Sequence, residues 1–232
     1  MPGPMPEVWK VDVAVEVGRF DAHLARLTAD EAARAARFHR DEDRERFVVG
    51  RSTRRLLLAR RLGVDAGTLA FVEGRHGKPA LRPGAHPRLP HFNSSHSGRW
   101  VLHVVADVEV GVDVERVRPD FARIDDFLWV LSPEERRLVL SAPEPCRAAA
   151  LATVWVRKEA YVKALGEGLS RSLPDIGIVS GSHGEPALAY DRNPGGTGRR
   201  WRFADLEIDD LHKACVVHEG AARRIAVREF AH

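Results

Sequence analysis

The sequence predicts an α+β protein made of two similar helix-plus-antiparallel-sheet halves, a pseudo-dimer within one chain, with residues 1–118 and 119–232 as the two halves. Three observations carry that expectation. The stretch Val72-Glu73-Gly74-Arg75-His76-Gly77-Lys78-Pro79-Ala80-Leu81 is echoed by Val179-Ser180-Gly181-Ser182-His183-Gly184-Glu185-Pro186-Ala187-Leu188, with Val, Gly, His, Gly, Pro, Ala and Leu in the same order. Each copy follows a helical pattern that ends in Leu-Gly, at Leu62-Gly63 and at Leu165-Gly166. Each also precedes a strand-like run containing Val-Val, at Val104-Val105 and at Val216-Val217.

Composition narrows the function classes. With 44% hydrophobic and 30% charged residues the chain has the make-up of a soluble globular protein, and no apolar run approaches the ~20 residues that a membrane span needs. Met1 to Val17 carries scattered charges and no apolar core, so a cytoplasmic protein without a secretory leader is expected. Cys146 and Cys215 have neither metal-ligand nor redox spacing and are expected as two reduced, buried thiols. The formal charge is only +3, but arginines crowd between Arg26 and Arg61. Such a face suits nucleic acid, a phosphorylated small molecule or an acidic protein. The lack of interleaved aromatics in that stretch counts against nucleic acid.

Taken in order, residues 8–17 alternate apolar and polar as a half-buried strand. Thr28-Ala29-Asp30-Glu31 is a capping box that opens a helix to Phe38, with Arg34 about a turn inside it. A second helix runs from about Asp43 to Leu62 and stops at Gly63. Gly74 to Pro90 supplies turns, and Phe92-Asn93-Ser94-Ser95-His96-Ser97-Gly98 reads as a polar turn leading into a strand from Trp100 to Val105. Val110 to Glu115 reads as the returning strand of a hairpin, with Asp113 and Glu115 on one face. Ser132-Pro133-Glu134-Glu135 signals a helix start, and a further helix covers about Leu151 to Leu165. Strands near 176–180, 186–190, 201–208, 212–218 and 223–230 make the C-terminal half rich in β-structure.

The chemistry concentrates in a few of these elements. Helical spacing puts Trp155, Glu159 and Lys163 on one face, while Val154, Val162 and Leu165 turn to a core. Alone, Glu159 and Lys163 would be a surface ion pair worth about 0.3–0.5 kcal/mol. Together with Asp113 and Glu115, Glu159 completes a set of three carboxylates suited to Mg²⁺, with Mn²⁺ as a substitute. His96, next to Ser95, is fit to donate hydrogen bonds to a phosphate, and Lys78 sits in Gly77-Lys78-Pro79, where a solvated turn lysine is the competing reading.

The motifs Gly77-Lys78-Pro79, Phe92-Asn93-Ser94-Ser95-His96-Ser97, Gly111-Val112-Asp113-Val114-Glu115 and Trp155-Val156-Arg157-Lys158-Glu159-Ala160-Tyr161-Val162-Lys163 resemble, in the same order, those of the 4'-phosphopantetheinyl transferases of the large surfactin type. The resemblance spans about residues 28–170 and extends more faintly to the C-terminus. It implies the pseudo-dimeric fold of that family, with coenzyme A between the halves, and transfer of 4'-phosphopantetheine to a serine of an apo acyl or peptidyl carrier protein. Adenosine 3',5'-bisphosphate is the implied second product. It further implies Asp113, Glu115 and Glu159 as Mg²⁺ ligands and His96 and Lys163 at the pyrophosphate, with Lys78, Pro79, Ser95 and Lys158 among the coenzyme A residues. Arg34 falls where related enzymes place a cation for the 3'-phosphate, and Glu135 near the family's proposed general base, although Glu135 also completes a capping box. Position 94 is Ser where the family commonly has an aliphatic residue. A chain holding both halves can build such a site as a monomer, without nucleic acid or membrane.

Overall fold

The computed structural model describes residues 5–74, 76–84, 88–181, 184–193, 199–221 and 225–231. Strand β1 (Glu7–Asp12) stops at Asp12 rather than at Val17, because the Asp12 carboxylate caps Ala14 N–H and turns Val13–Glu16 into the short helix α1. Helix α2 is Phe20–Leu24, and α3 (Ala29–Ala35) begins at the Thr28/Glu31 capping box with both of its reciprocal hydrogen bonds made. Helix α4 (Asp41–Leu62) ends at Gly63, whose φ of 68° lies in the left-handed region that a glycine adopts without strain.

The chain continues through β2 (Phe71–Glu73), β3 (Pro79–Leu81), β4 (His91–Ser97), β5 (Trp100–Ala106) and β6 (Val110–Arg116). Next come α5 (Pro133–Ser141) and α6 (Arg147–Leu165), the latter ending at Gly166 with φ 72°. Strands β7 (Ile176–Ser180), β8 (Pro186–Asp191), β9 (Trp201–Leu206), β10 (His212–Glu219) and β11 (Ala226–Glu229) complete the chain. The internal echo is thus a hairpin after each Leu-Gly helix end, β2 with β3 and β7 with β8. Its Arg75, Ser182 and His183 lie outside the described residues.

Two expectations about strands are corrected. The polar run around Ser95 is not a turn but the strand β4, antiparallel to β5, with the turn confined to Gly98 and Arg99. β5 and β6 do not form a hairpin: β5 pairs with β1 and β4, whereas β6 pairs with β10. One sheet therefore runs β11-β1-β5-β4 and the other β6-β10-β9. Each half sends its last strand to the other, since β11 lies parallel to β1 and β6 antiparallel to β10.

The core explains the crossing. Leu102 and Val104 of β5, Val112 and Val114 of β6, and Ala214 and Val216 of β10 share one buried cluster between the two sheets. On the outer faces, Leu58 of α4 packs with Phe92 and Val105, and Val156, Ala160 and Ala164 of α6 pack with Cys215 and Val217. The result is four layers, helix, sheet, sheet and helix. Gly111 sets the spacing of the last two, because a Cβ there would lie 2.1 Å from the Ala160 carbonyl oxygen and 2.4 Å from Ala164 N. Cys215 is buried as expected, but Cys146 is exposed, because it sits in the turn that precedes α6.

Candidate active site

The two sheets meet along the edges of β4 and β6, and side chains close the seam. Asn93 Oδ1 accepts from Val112 N at 3.1 Å, and Ser97 Oγ accepts from Arg116 N at 2.9 Å. Ser95 Oγ donates to Asp113 Oδ1 at 2.6 Å, and Ser97 Oγ donates to Glu115 Oε2 at 2.8 Å. Period two along β6 turns Gly111, Asp113 and Glu115 toward α6, opposite to its valines. There Lys163 Nζ reaches Asp113 Oδ1 at 2.5 Å and Ser95 Oγ at 3.0 Å.

This seam brings Ser95, Asp113, Glu115, Glu159 and Lys163 into one electrostatic environment. Asp113 is 4% exposed and its Oδ2 is buried without a hydrogen-bond partner. Glu115 titrates above the usual carboxylate range because of its burial and then the repulsion of Asp113. Glu159 is raised likewise, first by burial and then by the Asp113 charge, with Lys163 opposing. Among the described residues no three His, Cys, Asp or Glu side chains stand as a ready-made metal cage. The donor chemistry nevertheless fits Mg²⁺, since a buried carboxylate oxygen lacks a partner beside two carboxyls that resist ionising. Mg²⁺ usually takes only one or two carboxylates and fills its shell with water and phosphate oxygens.

From Ser95 a cleft of about 430 Å³ runs toward α4, lined on one side by Pro79, Ser94, Ser95 and His96. Arg34, Phe47, Arg51 and Arg54 form its other wall, and Phe47, Arg51 and Arg54 share one face of α4. Arg34 and Arg51 both stack on the Phe47 ring, with guanidinium carbons 5.4 and 5.2 Å from its centroid. Arg54 is buried with Nε and Nη2 lacking hydrogen-bond partners, and Glu31 Oε1 lies 3.6 Å away. Burial, and then repulsion by Arg51, lowers its pKa to about 9. Such a guanidinium is poised for an anion. His96 reaches solvent at the rim. Crowding of its ring by the protein, and then the charges of Arg46 and Lys163, hold it below the ordinary histidine value, so it is neutral at pH 7.

Three of the residues expected at the site stand elsewhere. Lys158 Nζ is fully buried and contacts Val130 O at 2.6 Å, Leu173 O at 2.8 Å and Glu135 Oε2 at 2.5 Å. Glu135 is 3% exposed, and it accepts from Ser132 N at 2.8 Å and from Ile178 N at 3.1 Å. The capping role of Glu135 therefore prevails, and the general-base reading is corrected: both of its oxygens are engaged, Oε2 by Ser132 N and Lys158 and Oε1 by Ile178 N. Lys158 is corrected in the same way, because a buried ammonium with three acceptors cannot reach coenzyme A. The Lys78 ammonium is tied to Glu109 Oε2, Val110 O and Ala164 O at 2.9, 3.2 and 2.9 Å, joining the start of β6 to the end of α6. It is neither a solvated turn lysine nor free for a phosphate. Sequence reasoning missed Phe47, Arg51 and Arg54 as a wall of the site, although their spacing on one helix face was available, and missed Asn93 and Ser97 as seam stitches.

A cationic cleft that ends at a carboxylate cluster has the chemistry to take a phosphorylated ligand together with a divalent cation. The chain belongs to the 4'-phosphopantetheinyl transferase superfamily: that family's model matches residues 109–217, and the model for the 4'-phosphopantetheinyl transferase N-terminal region matches residues 16–108. The 4'-phosphopantetheinyl transferase HetI of Nostoc is 32% identical over 216 residues, covering 92% of this chain and 87% of its own. The 4'-phosphopantetheinyl transferase Sfp of Bacillus subtilis is 27% identical over 193 residues, covering 82% and 75%. A holo-(acyl-carrier-protein) synthase from Bacillus anthracis, solved in complex with CoA, covers 49% of this chain and 97% of its own at 24% identity and a TM-score of 0.42. Among the described residues no helix is long and apolar enough to cross a membrane.

Proposed function

We propose that this 4'-phosphopantetheinyl transferase carries out its reaction at the β4/β6 seam, with coenzyme A lying in the arginine-walled cleft. One observation carries the reading: a single cleft gathers Arg34 of α3, Pro79 of β3, and Ser95 and His96 of β4, and Ser95 is bonded directly to the Asp113 and Lys163 pair. Arg34, with Arg51 and Arg54 beside it, takes the 3'-phosphate. Ser95, His96 and Lys163 take the diphosphate, whose charge increases in the transition state. Asp113, Glu115 and Glu159 would hold Mg²⁺, which would neutralise diphosphate oxygens.

The serine hydroxyl of an apo acyl or peptidyl carrier protein attacks the phosphorus that bears pantetheine. Its O–P bond forms as the bond to the bridging oxygen breaks, and adenosine 3',5'-bisphosphate leaves. The serine proton passes to a carboxylate of the seam or to solvent, not to Glu135. Both halves lie within one chain, so a monomer suffices, and the basic N-terminal half suits an acidic carrier in the cytoplasm.

The test is incubation with coenzyme A, Mg²⁺ and several apo acyl and peptidyl carriers, followed by intact mass. A phosphopantetheine gain that Glu159→Gln abolishes, with its folding intact, supports the reading. The reading fails if no carrier gains mass, and a fully active Glu159→Gln variant removes that residue from the site.

A further inference from the structure

Ser94 occupies a position in the cleft that a chain of hydrogen bonds makes directional. Period two along β4 puts Ser94 on the same face as His96 and opposite to Ser95, and Ser94 lines the cleft. Behind it lies His103 of β5, its register partner, which is 2% exposed. Ser94 Oγ and His103 Nδ1 are 2.7 Å apart, and His103 Nε2 and Thr53 Oγ1 are 2.8 Å apart. Thr53 on α4 fixes the direction of the whole chain. Its hydroxyl has one proton, and that proton goes to the Val49 carbonyl at 2.7 Å. Thr53 Oγ1 must then accept from His103 Nε2–H. The neutral ring has no second proton, so Nδ1 accepts, and the Ser94 hydroxyl donates to it.

We infer that Ser94 Oγ, its own proton held by His103, faces the cleft as a fixed acceptor and takes a hydrogen bond from an N–H or O–H of the nucleoside half of coenzyme A. The inference rests on the proposed seating of coenzyme A in this cleft. The diphosphate belongs at His96 and Lys163, and the arginines that match a 3'-phosphate form the facing wall, so the nucleoside lies alongside Ser94. Two groups there carry protons, the adenine exocyclic amino group and the ribose 2'-hydroxyl. Burial, followed by the charges of Arg54 and His96, pushes the His103 pKa down to about 3, so the ring keeps one proton throughout the working pH range. Thr53 and His103 are positioning residues that act through Ser94.

The experiment compares wild type with Ser94→Ala, using coenzyme A and two analogues, one with purine in place of adenine and one with 2'-deoxyribose. With coenzyme A, Ser94→Ala raises KM roughly three- to tenfold at unchanged kcat, the loss of one neutral hydrogen bond. With the analogue that lacks the donating group, wild type and variant have the same KM, and which analogue does so identifies the donor. Ser94→Thr keeps the hydroxyl and restores KM. Side-chain ¹⁵N NMR of the free protein shows His103 protonated at Nε2. An unchanged KM in Ser94→Ala, a penalty that persists with both analogues, or a His103 proton on Nδ1 overturns the inference. In those cases wild-type transfer continues, whereas failure of the proposed function abolishes turnover in wild type itself.

Discussion

Replacing His103 by Gln should flatten the acid side of the stability profile. His103 is fully buried between Ser94 and Thr53, and its pKa falls from 6.5 to about 3. In the unfolded chain the ring takes a proton below about pH 6.5. In the folded chain it does not until about pH 3. Its contribution is therefore fully present above the unfolded value and is lost as pH falls through the window from 6.5 toward 3. The limiting slope is about 1.4 kcal/mol per pH unit, and integration from pH 7 to pH 5 gives about 2 kcal/mol. The figure hardly depends on the folded value, because even a pKa of about 4 leaves the native ring uncharged at pH 5. Urea denaturation of wild type and His103→Gln at pH 7 and pH 5 isolates the residue, since the carboxylates common to both proteins cancel in the difference. Wild type should lose about 2 kcal/mol more than the variant across that interval. Parallel profiles would refute the argument, and with it the buried neutral ring on which the Ser94 orientation depends.

Glu135→Gln separates a structural carboxylate from a catalytic one. If Glu135 only caps α5 and neutralises Lys158, the variant keeps kcat per folded molecule within a few-fold while stability drops by roughly 3–5 kcal/mol, read by thermal unfolding beside turnover at low temperature. A general base would instead cost about 10²–10⁴ in kcat. Gly111→Ala should lower stability by roughly 3 kcal/mol or more, because its Cβ meets backbone atoms of α6 that no rotamer can move aside. The control is Gly18→Ala, where a Cβ meets nothing within 4 Å, and equal denaturation midpoints for the two variants would contradict the close packing of β6 on α6.

What could be read from the sequence was local or repeated. The capping boxes at Thr28 and Ser132 and the left-handed helix ends at Gly63 and Gly166 involve residues close together in the chain, so the motif and its structure coincide. The carboxylate pair on β6 and the Glu159/Lys163 face followed from the periods of strand and helix. Strand partners did not, because the alternation of Val110 to Glu115 is the same whether β6 returns on β5 or crosses to β10. Lys158 was misplaced although a signal existed. It lies four residues from both Val154 and Val162, on the face already assigned to the core, and a lysine there must bring its partners with it.

The polarity of β4 explains why the site is where it is. An edge strand joined to its neighbour by a backbone ladder leaves about 4.8 Å between chains, too little for side chains to lie between them. At the β4/β6 seam the Val112 and Arg116 amides are answered by Asn93 and Ser97 side chains rather than by a backbone ladder. Across that seam the hydroxyls of Ser95 and Ser97 donate to the carboxylates of Asp113 and Glu115. The residues that join the two sheets are thus the ones proposed to face the substrate. Lys163 adds the third element, bridging α6 to both strands through Asp113 and Ser95. A diphosphate bound at Ser95 and Lys163 would take over part of that bridge, so substrate binding and the docking of the two halves draw on the same few atoms.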